Sequence, residues 1–487
     1  MARIVILGAG VAGHTAALHA KRKLGADHEV VVVSPNSKWN WIPSNIWVGV
    51  GRMPAEKVVF PLAPIYRRKH IEFHQALATA IRPDGDAEDA RGAVDIRYTD
   101  PKRSGQTARL RYDYLINATG PKLRFEATPG LGPDGGHTAS VCTPGHAVDA
   151  AAQLDDVIAR LRAGQRQTVV VGIGHGTCTC EGAAFEYALN VDHELREAGV
   201  RDRAEVVYLS NEPELGDFGV GGMVFEEKGR RVTSSEWMES LFHERDVRAI
   251  THAAPTEITD RVIHYDSVAD GPGSIEYDFA MLLPPFGGVG LEAYDRDGND
   301  ITSELFAPSG FMLVDADYGD KPFDEWRAAD WPRTYRSPRN PNIFGVGIAF
   351  APPHAITRPA RTAAGVVVAP APPRTGMPSG MMGKIAAFTI VDLIRQGGDA
   401  RPHEAPMPEL AAACIASTGA HMLRGSAATM TMSPVVPDYQ RYPDTAGRDI
   451  AETRGEIGLA GHWLKRMLHT AFIYKAKALP FWYLIPE

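Results

Sequence analysis

Short apolar runs that end in glycine turns set the pattern of this chain. The first, Arg3-Ile4-Val5-Ile6-Leu7, is a predicted strand running into Gly8-Ala9-Gly10-Val11-Ala12-Gly13, and an Ala-rich helical stretch follows to about Lys23. Strand, glycine turn and helix in that frame form a dinucleotide fingerprint. Gly8 permits the tight turn, Gly10 lets the backbone approach a pyrophosphate, and Gly13 allows close helix packing beside Ala12, with the helix N-terminus facing the phosphates. The second run, Glu29-Val30-Val31-Val32-Val33, should end at the adenosine ribose, where an acidic residue is expected. The chain has Ser34-Pro35-Asn36 instead, so Ser34 or Asn36 is expected to supply that hydrogen bond.

A second fingerprint appears at Thr168-Val169-Val170-Val171-Gly172-Ile173-Gly174-His175-Gly176-Thr177. Its third glycine would fall at Thr177, and Cys180 stands where the next helix should begin. The expectation is a Rossmann-like unit that keeps its fold and binds no nicotinamide cofactor, with the Cys180 thiol facing the interdomain cleft and its pKa lowered by the helix N-terminus. From Gly461 to Lys477, Trp463, Leu464, Met467, Leu468, Ala471 and Phe472 recur at helical spacing, with Lys465, Arg466, His469, Lys475 and Lys477 elsewhere around the helix. Phe481-Trp482-Tyr483-Leu484-Ile485 then gives an aromatic cluster suited to a lipid headgroup boundary.

There are four cysteines. Taken alone they read as small buried hydrophobes, but beside a flavin, thiols that alternate between dithiol and disulfide make a two-electron redox centre. Cys142, Cys180 and Cys414 lie in three separate contexts. Cys178, two residues before Cys180, reads as packing or a spare thiol. Neither this pair nor the histidines show metal-ligand spacing, so no metal is expected.

Further segments carry a resemblance. Tyr114-Leu115-Ile116-Asn117-Ala118-Thr119-Gly120 resembles the crossing turn of flavoproteins with two dinucleotide-binding domains, and Asn342-Ile343-Phe344-Gly345-Val346-Gly347 resembles their last flavin strand, with Ile348 where most have Asp. Trp39-Asn40-Trp41-Ile42-Pro43-Ser44-Asn45-Ile46-Trp47-Val48-Gly49-Val50-Gly51, Asn211-Glu212-Pro213, Pro284-Pro285-Phe286 and Ala349-Phe350-Ala351-Pro352-Pro353 are similar to segments of the sulfide:quinone oxidoreductase family, related to the flavoprotein subunit of flavocytochrome c sulfide dehydrogenase. The resemblance spans residue 1 to about 475.

It implies FAD held by Gly8, Gly10, Ala12, Gly13, Ser34, Asn36, Ser44, Asn45, Thr119, Gly120, Gly347 and Ile348. Cys180 and Cys414 would be the redox pair, and Cys142 would lie at the flavin edge, covalently attached in some members. Hydrosulfide would attack the oxidised pair to leave a persulfide and a thiolate, with Glu186 and His146 moving protons. Asp217 replaces a common histidine. Thr375-Gly376-Met377-Pro378-Ser379-Gly380 lacks the family's lysine, for which Lys384, taken as the start of the next helix, is the expected substitute near flavin N1. The Pro- and Ala-rich insertion from about His354 to Pro373 reads as a surface loop or a lid.

With 487 residues, 44% hydrophobic and net charge −8, the chain suits two or three globular domains and gives no sign of nucleic-acid binding. No signal peptide and no membrane-spanning run are expected. The expected fold is α/β with two Rossmann-like domains. FAD-binding parts at 1–150 and 305–400 enclose a second Rossmann-like domain at 151–304, and 401–487 forms a redox-cysteine and membrane-anchoring region. The implied partners are hydrogen sulfide, a membrane quinone and the lipid bilayer surface of a bacterial or archaeal cell membrane, on which the protein would sit as a peripheral monotopic enzyme; the resemblance leaves a homo-oligomer open. Alternatives are a cytochrome acceptor, a type II NADH:quinone oxidoreductase, and a non-catalytic FAD-binding adaptor at the membrane.

Overall fold

The computed structural model describes residues 1–374, 376–397, 400–419 and 425–487. The early strands are β1 (Arg3–Leu7), β2 (Glu29–Ser34), β3 (Glu72–Arg82), β4 (Ala93–Tyr98), β5 (Thr107–Arg111) and β6 (Tyr114–Asn117). Helices α1 (Val11–Leu24) and α2 (Ala63–Arg68) lie among them, and α3 (Pro144–Arg162) follows. A second unit contains β7 (Gln167–Ile173), α4 (Glu181–Glu197), β8 (Ala204–Leu209), β9 (Val247–Ile250) and β10 (Phe279–Leu283). The chain then returns through β11 (Ile343–Gly345) and α5 (Met377–Gln396), and ends with β12 (Ala412–Thr418), β13 (Ser426–Met432), β14 (Arg454–Gly458) and α6 (Leu459–Ala476).

The first sheet has the order β11-β6-β1-β2-β3-β4-β5. It is parallel from β11 to β3, with Ile4 opposite Val30 and Leu7 opposite Val33, and antiparallel beyond. The second sheet, β9-β8-β7-β10, is wholly parallel. Both central strands are apolar along their length because helices or other chain cover both faces; Ile4, Val5, Ile6, Val169, Val170 and Val171 are fully buried. Each such side chain leaving water contributes roughly 1.5–3 kcal/mol. The third sheet, β12-β13-β14, is antiparallel, and α4 and α6 both pack on it.

Helices α1 and α5 run side by side in the same direction, since Gly380 lies against Val11 at one end and Arg395 donates to the Lys23 carbonyl at the other. A Cβ on Gly383 would stand 2.2 Å from the Ala12 carbonyl oxygen, so glycine there sets the separation of the two helices. Contrary to the expectation that no segment is apolar enough to cross a membrane, α5 qualifies by length and composition, with a mean hydropathy of 1.2. Sixty-seven per cent of that apolar window is buried inside the protein, which makes it a core helix in this fold.

Candidate functional site

Two glycines make the first turn possible and a third leaves it open. Gly8 has φ +95°, and a Cβ there would lie 2.1 Å from the Ala118 carbonyl oxygen. On Gly13 it would lie 2.1 Å from the Gly8 carbonyl oxygen, whereas at Gly10 it would meet nothing within 4 Å. The space over Gly10 therefore lies at the α1 N-terminus, with Gly376 and the start of α5 at the same end of the helix pair. Two N-termini aimed together offer unpaired N–H groups and partial positive charge, which fits a pyrophosphate. Gly347 (φ +66°) closes the floor, its Cβ position 3.1 Å from the Ala12 Cβ and 3.3 Å from Ser379 Oγ. Gly120 is also open, and Thr119 Oγ1 donates to Asn117 Oδ1 at 2.8 Å. At the end of β2, Ser34 Oγ accepts from the Asn36 N–H at 3.3 Å, and the Asn36 side chain is exposed.

The thiols gather at the start of α4. Cys180 caps α4 in the left-handed conformation (φ 74°), and Cys414 reaches it from β12, with its Sγ 2.9 Å from where a Cβ on Gly182 would be. Gly182 thus gives Cys414 its place beside the α4 N-terminus. Cys142 is near enough that its charge, like that of Cys414, would raise the Cys180 pKa. All three are free and partly covered. Burial pushes Cys142 and Cys414 up to about 11, and pushes Cys180 up further, with Glu181 adding to the shift. Cys178 is fully buried, and its S–H donates to the Leu283 carbonyl at 3.0 Å, which makes it a packing thiol.

Around the thiols stand buried charges. Glu186 on α4 accepts from the Ser417 hydroxyl at 2.7 Å and backbone N–H at 3.2 Å, and is ion-paired with Lys465 of α6. Lys465 also donates to the Ile415 carbonyl at 3.2 Å, and Trp47 Nε1 to Ser417 Oγ at 2.8 Å. Next to Cys180, the Glu181 carboxyl is raised well above the usual range, by burial first and by Glu212 and Asp217 after it. Burial likewise raises Glu212 to about 7 and Asp217 to about 6. His146 sits on the first turn of α3, its Nε2 3.7 Å from Asp134 and its ring against Phe125.

Comparison with known proteins matches residues 2–283 to the pyridine nucleotide-disulphide oxidoreductase model. The chain belongs to that family. Over 474 residues it is 28% identical to the sulfide-quinone reductase of Aquifex aeolicus, covering 97% of this chain and 91% of that one. The X-ray structure of the sulfide:quinone oxidoreductase from that bacterium superposes with a TM-score of 0.74 at 26% identity, covering 98% of this chain and 92% of the other. A Plasmodium falciparum NDH2 bound to NADH shares the fold alone, at 14% identity and a TM-score of 0.51 over 72% of this chain and 64% of that one. Two Rossmann-like units in an α/β oxidoreductase, as the sequence pattern implied, are what the sheets display.

In this oxidoreductase the second glycine turn differs from the first. The insertion lies across it: the Ala369 N–H donates to the Gly176 carbonyl at 2.8 Å and that of Ala371 to the Cys178 carbonyl at 2.9 Å. A Cβ on Gly176 would lie 2.1 Å from the Val367 carbonyl oxygen. Thr357, earlier in the same insertion, donates to the Asp217 carboxylate. The segment read as a surface loop or lid is thus a strap on the second unit.

Several expectations need correction. The Cys180 thiol is raised and not lowered, because burial outweighs the helix N-terminus. Lys384 does not start α5. The helix begins at Met377, and Lys384 lies two turns on, within electrostatic reach of His19 and Lys475. Thr375 of the preceding motif lies outside the described residues. Ser44 and Asn45 use their side chains inside the protein: Ser44 Oγ bonds His469 Nδ1 at 2.9 Å, and Asn45 exchanges hydrogen bonds with Asn40 and donates to the Val141 carbonyl at 3.1 Å. Lys465 and Lys475 point inward, to Glu186 and Glu487 respectively, instead of outward from α6.

Arg374 was missed by sequence reasoning. It is 4% exposed, donates to the Ile348 carbonyl at 3.2 Å and to that of Phe350, stands over the Phe311 and Phe350 rings, and pairs with no carboxylate among the described residues. Burial lowers it to about 10, and it lies within electrostatic range of Cys180. A buried cation without a carboxylate partner favours an anion within its electrostatic range. Its position directly before the motif that lacks lysine was the available signal.

Proposed function

We propose that this protein oxidises hydrogen sulfide to sulfane sulfur or polysulfide and passes the electrons through FAD to a membrane quinone. The observation that supports the reading is the closeness of Cys414 to the start of α4, which Cys180 caps, in a disulphide oxidoreductase similar to a protein named for sulfide and quinone. Gly8, Gly10, Ala12, Gly13 and Gly347 would hold the FAD pyrophosphate, Ser34 or Asn36 the ribose, and Thr119, Gly120 and the Ile348 backbone would line the flavin. Bound FAD would supply a two-electron acceptor beside the thiols.

Hydrosulfide attacks the disulfide form of the pair. A sulfur–sulfur bond forms between hydrosulfide and one cysteine, the bond between the cysteines breaks, and its electron pair leaves on the other as thiolate; the first becomes a persulfide. Thiolates are costly at this site, since burial raises all three thiols. Lys465 favours the anion at Cys414, and Arg374 is within electrostatic range of Cys180. Glu186 acts by holding Lys465 in place. His146 and Glu181 are the groups proposed to exchange protons, and Cys142 tunes or attaches the flavin.

For a membrane-facing surface, α6 offers Trp463, Met467 and Tyr474 along one exposed face, with Phe481 and Leu484 beyond its end. Anaerobic mixing with sulfide, followed by a quinone analogue, tests the proposal. Bleaching of the flavin band and its return are expected; a flavin that sulfide leaves oxidised would overturn the reading.

A further inference from the structure

A cavity of about 480 Å³ opens where the C-termini of α1 and α2 meet the segment after α6. Its walls carry Lys21, Arg22, Arg68, Lys69 and His70, and among the described residues no acidic one lines it. Among the described residues, none of Lys21, Arg22, Arg68 or Lys69 forms an ion pair with a carboxylate. Their polar contacts go elsewhere: Lys21 Nζ to the His28 carbonyl at 3.0 Å, Arg68 to the Lys477 carbonyl, and the Arg22 guanidinium to the face of Tyr483 at 3.5 Å. Lys69 is destabilised as a cation by burial and by its neighbour Arg68. Four basic side chains held together without a counter-charge leave donors unused, and an anion would relieve their repulsion.

The rim of the same cavity is apolar. It is formed by Leu479, Pro480 and Phe481, the last 69% exposed, and just past the lining segment Leu484 is 71% exposed. Trp482 between them turns inward and stacks edge-on against His19, which fixes the segment on α1. Basic walls under an exposed aromatic and aliphatic lip match a phosphate carried on acyl chains. The chain as a whole has net charge −8, so its overall field repels an anionic surface, and any preference for one has to arise locally.

We propose that this cavity binds the headgroup of an anionic phospholipid. The inference rests on the reading above that the C-terminal region faces a membrane, and it adds a site that distinguishes one lipid from another. Arg22 and Lys69 would contact the phosphate, with Lys21 and Arg68 behind them, while Phe481 and Leu484 would lie among the acyl chains.

The test is sedimentation of the flavin-loaded full chain with vesicles of phosphatidylcholine alone and of phosphatidylcholine containing phosphatidylglycerol. Tighter binding to the second is expected. Lys21→Gln/Lys69→Gln should lose that preference, weakening partition into anionic vesicles about tenfold to thirtyfold while leaving binding to the neutral ones intact. Arg22→Gln/Lys69→Gln serves as a second pair, with flavin content and melting temperature reporting folding. Arg97→Gln/Lys102→Gln removes the same charge from exposed positions far along the first sheet and should keep the preference.

If this remote pair loses as much as the cavity pairs, or the cavity pairs lose nothing, the site assignment is overturned. If inorganic phosphate or glycerol 3-phosphate at millimolar concentration raises the melting temperature of the wild type but not of the cavity variants and yet leaves its binding to anionic vesicles unchanged, the ligand is a free phosphate and the lipid assignment is overturned. Binding to neutral vesicles without anionic preference would overturn the cavity alone. Failure to bind any vesicle would overturn the membrane-facing reading with it.

Discussion

The two glycine turns start from similar sequences and end in opposite conditions. At the first, Gly10 faces open space and two helix N-termini converge; at the second, the strap from the insertion donates to Gly176 and Cys178 and approaches Gly176 as closely as backbone can. A fingerprint fixes the bend of a strand into a helix. Whether the bend holds a ligand is decided by what else reaches it, and here that is chain from nearly two hundred positions downstream, together with a thiol at the helix cap.

The largest expected effect comes from filling each turn. Gly8→Val puts a branched side chain at φ +95° against Ala118 and should abolish flavin retention, read from visible absorbance of the purified protein. Gly176→Ala should displace the strap but leave flavin bound; loss of flavin from both would erase the proposed division between the turns. Next, Cys180→Ser or Cys414→Ser should keep flavin while sulfide-dependent bleaching falls by about a thousandfold or more, since a hydroxyl is neither a persulfide carrier nor a leaving group. Near wild-type turnover in either would remove that residue from the pair.

Thiol titration sharpens the comparison from the second side. In the reduced protein, iodoacetamide labelling of Cys142 and Cys414 should climb about tenfold per pH unit through the range where ordinary thiols have levelled off, up to about 11. A plateau below pH 9 would mean that the site favours thiolate after all. NADH and NADPH should leave the flavin oxidised during the time sulfide bleaches it, because the strap occupies the second turn. Ala369→Pro/Ala371→Pro removes both strap donors and is the variant in which nucleotide binding should first become measurable.

The smallest effect concerns the strap's other tie. Asp217 titrates at about 6 in the folded protein, above its ordinary value of 3.8, so its contribution to stability is greatest below pH 4 and is lost as pH rises through 6. Asp217→Asn should flatten that loss, worth up to about 3 kcal/mol, in melting curves from pH 4 to 8. A wild type whose stability does not fall over that interval would rule out the buried neutral carboxyl.

Much of this was legible in the chain. The first fingerprint announces its turn because three glycines at fixed offsets have few other uses, and the apolar strands announce sheets covered on both faces. The juxtaposition of Cys180 with Cys414 came from resemblance alone, since no local spacing joins α4 to β12. Side-chain direction was the main loss. Periodicity says which residues of α6 share a face, but a lysine bound for the interior looks like one bound for water until its carboxylate is found, and Glu186 is 279 positions away. Lys384 misled for a related reason: the helix start could not be fixed from sequence to within two turns, which is enough to carry a charge out of one site and into another.

The Glu186–Lys465 pair has a consequence for how the molecule would come apart. Removing one partner from a buried ion pair typically costs about 3–5 kcal/mol, so α6 cannot peel away and leave α4 and β12 indifferent. Those elements should open as one cooperative block, with slow amide exchange in β12 and α6 rising together. A protease that clipped the last helix would then yield a body with a loosened sulfur strand in place of a tidy soluble core, and shedding the C-terminus would disable the thiols in the same event.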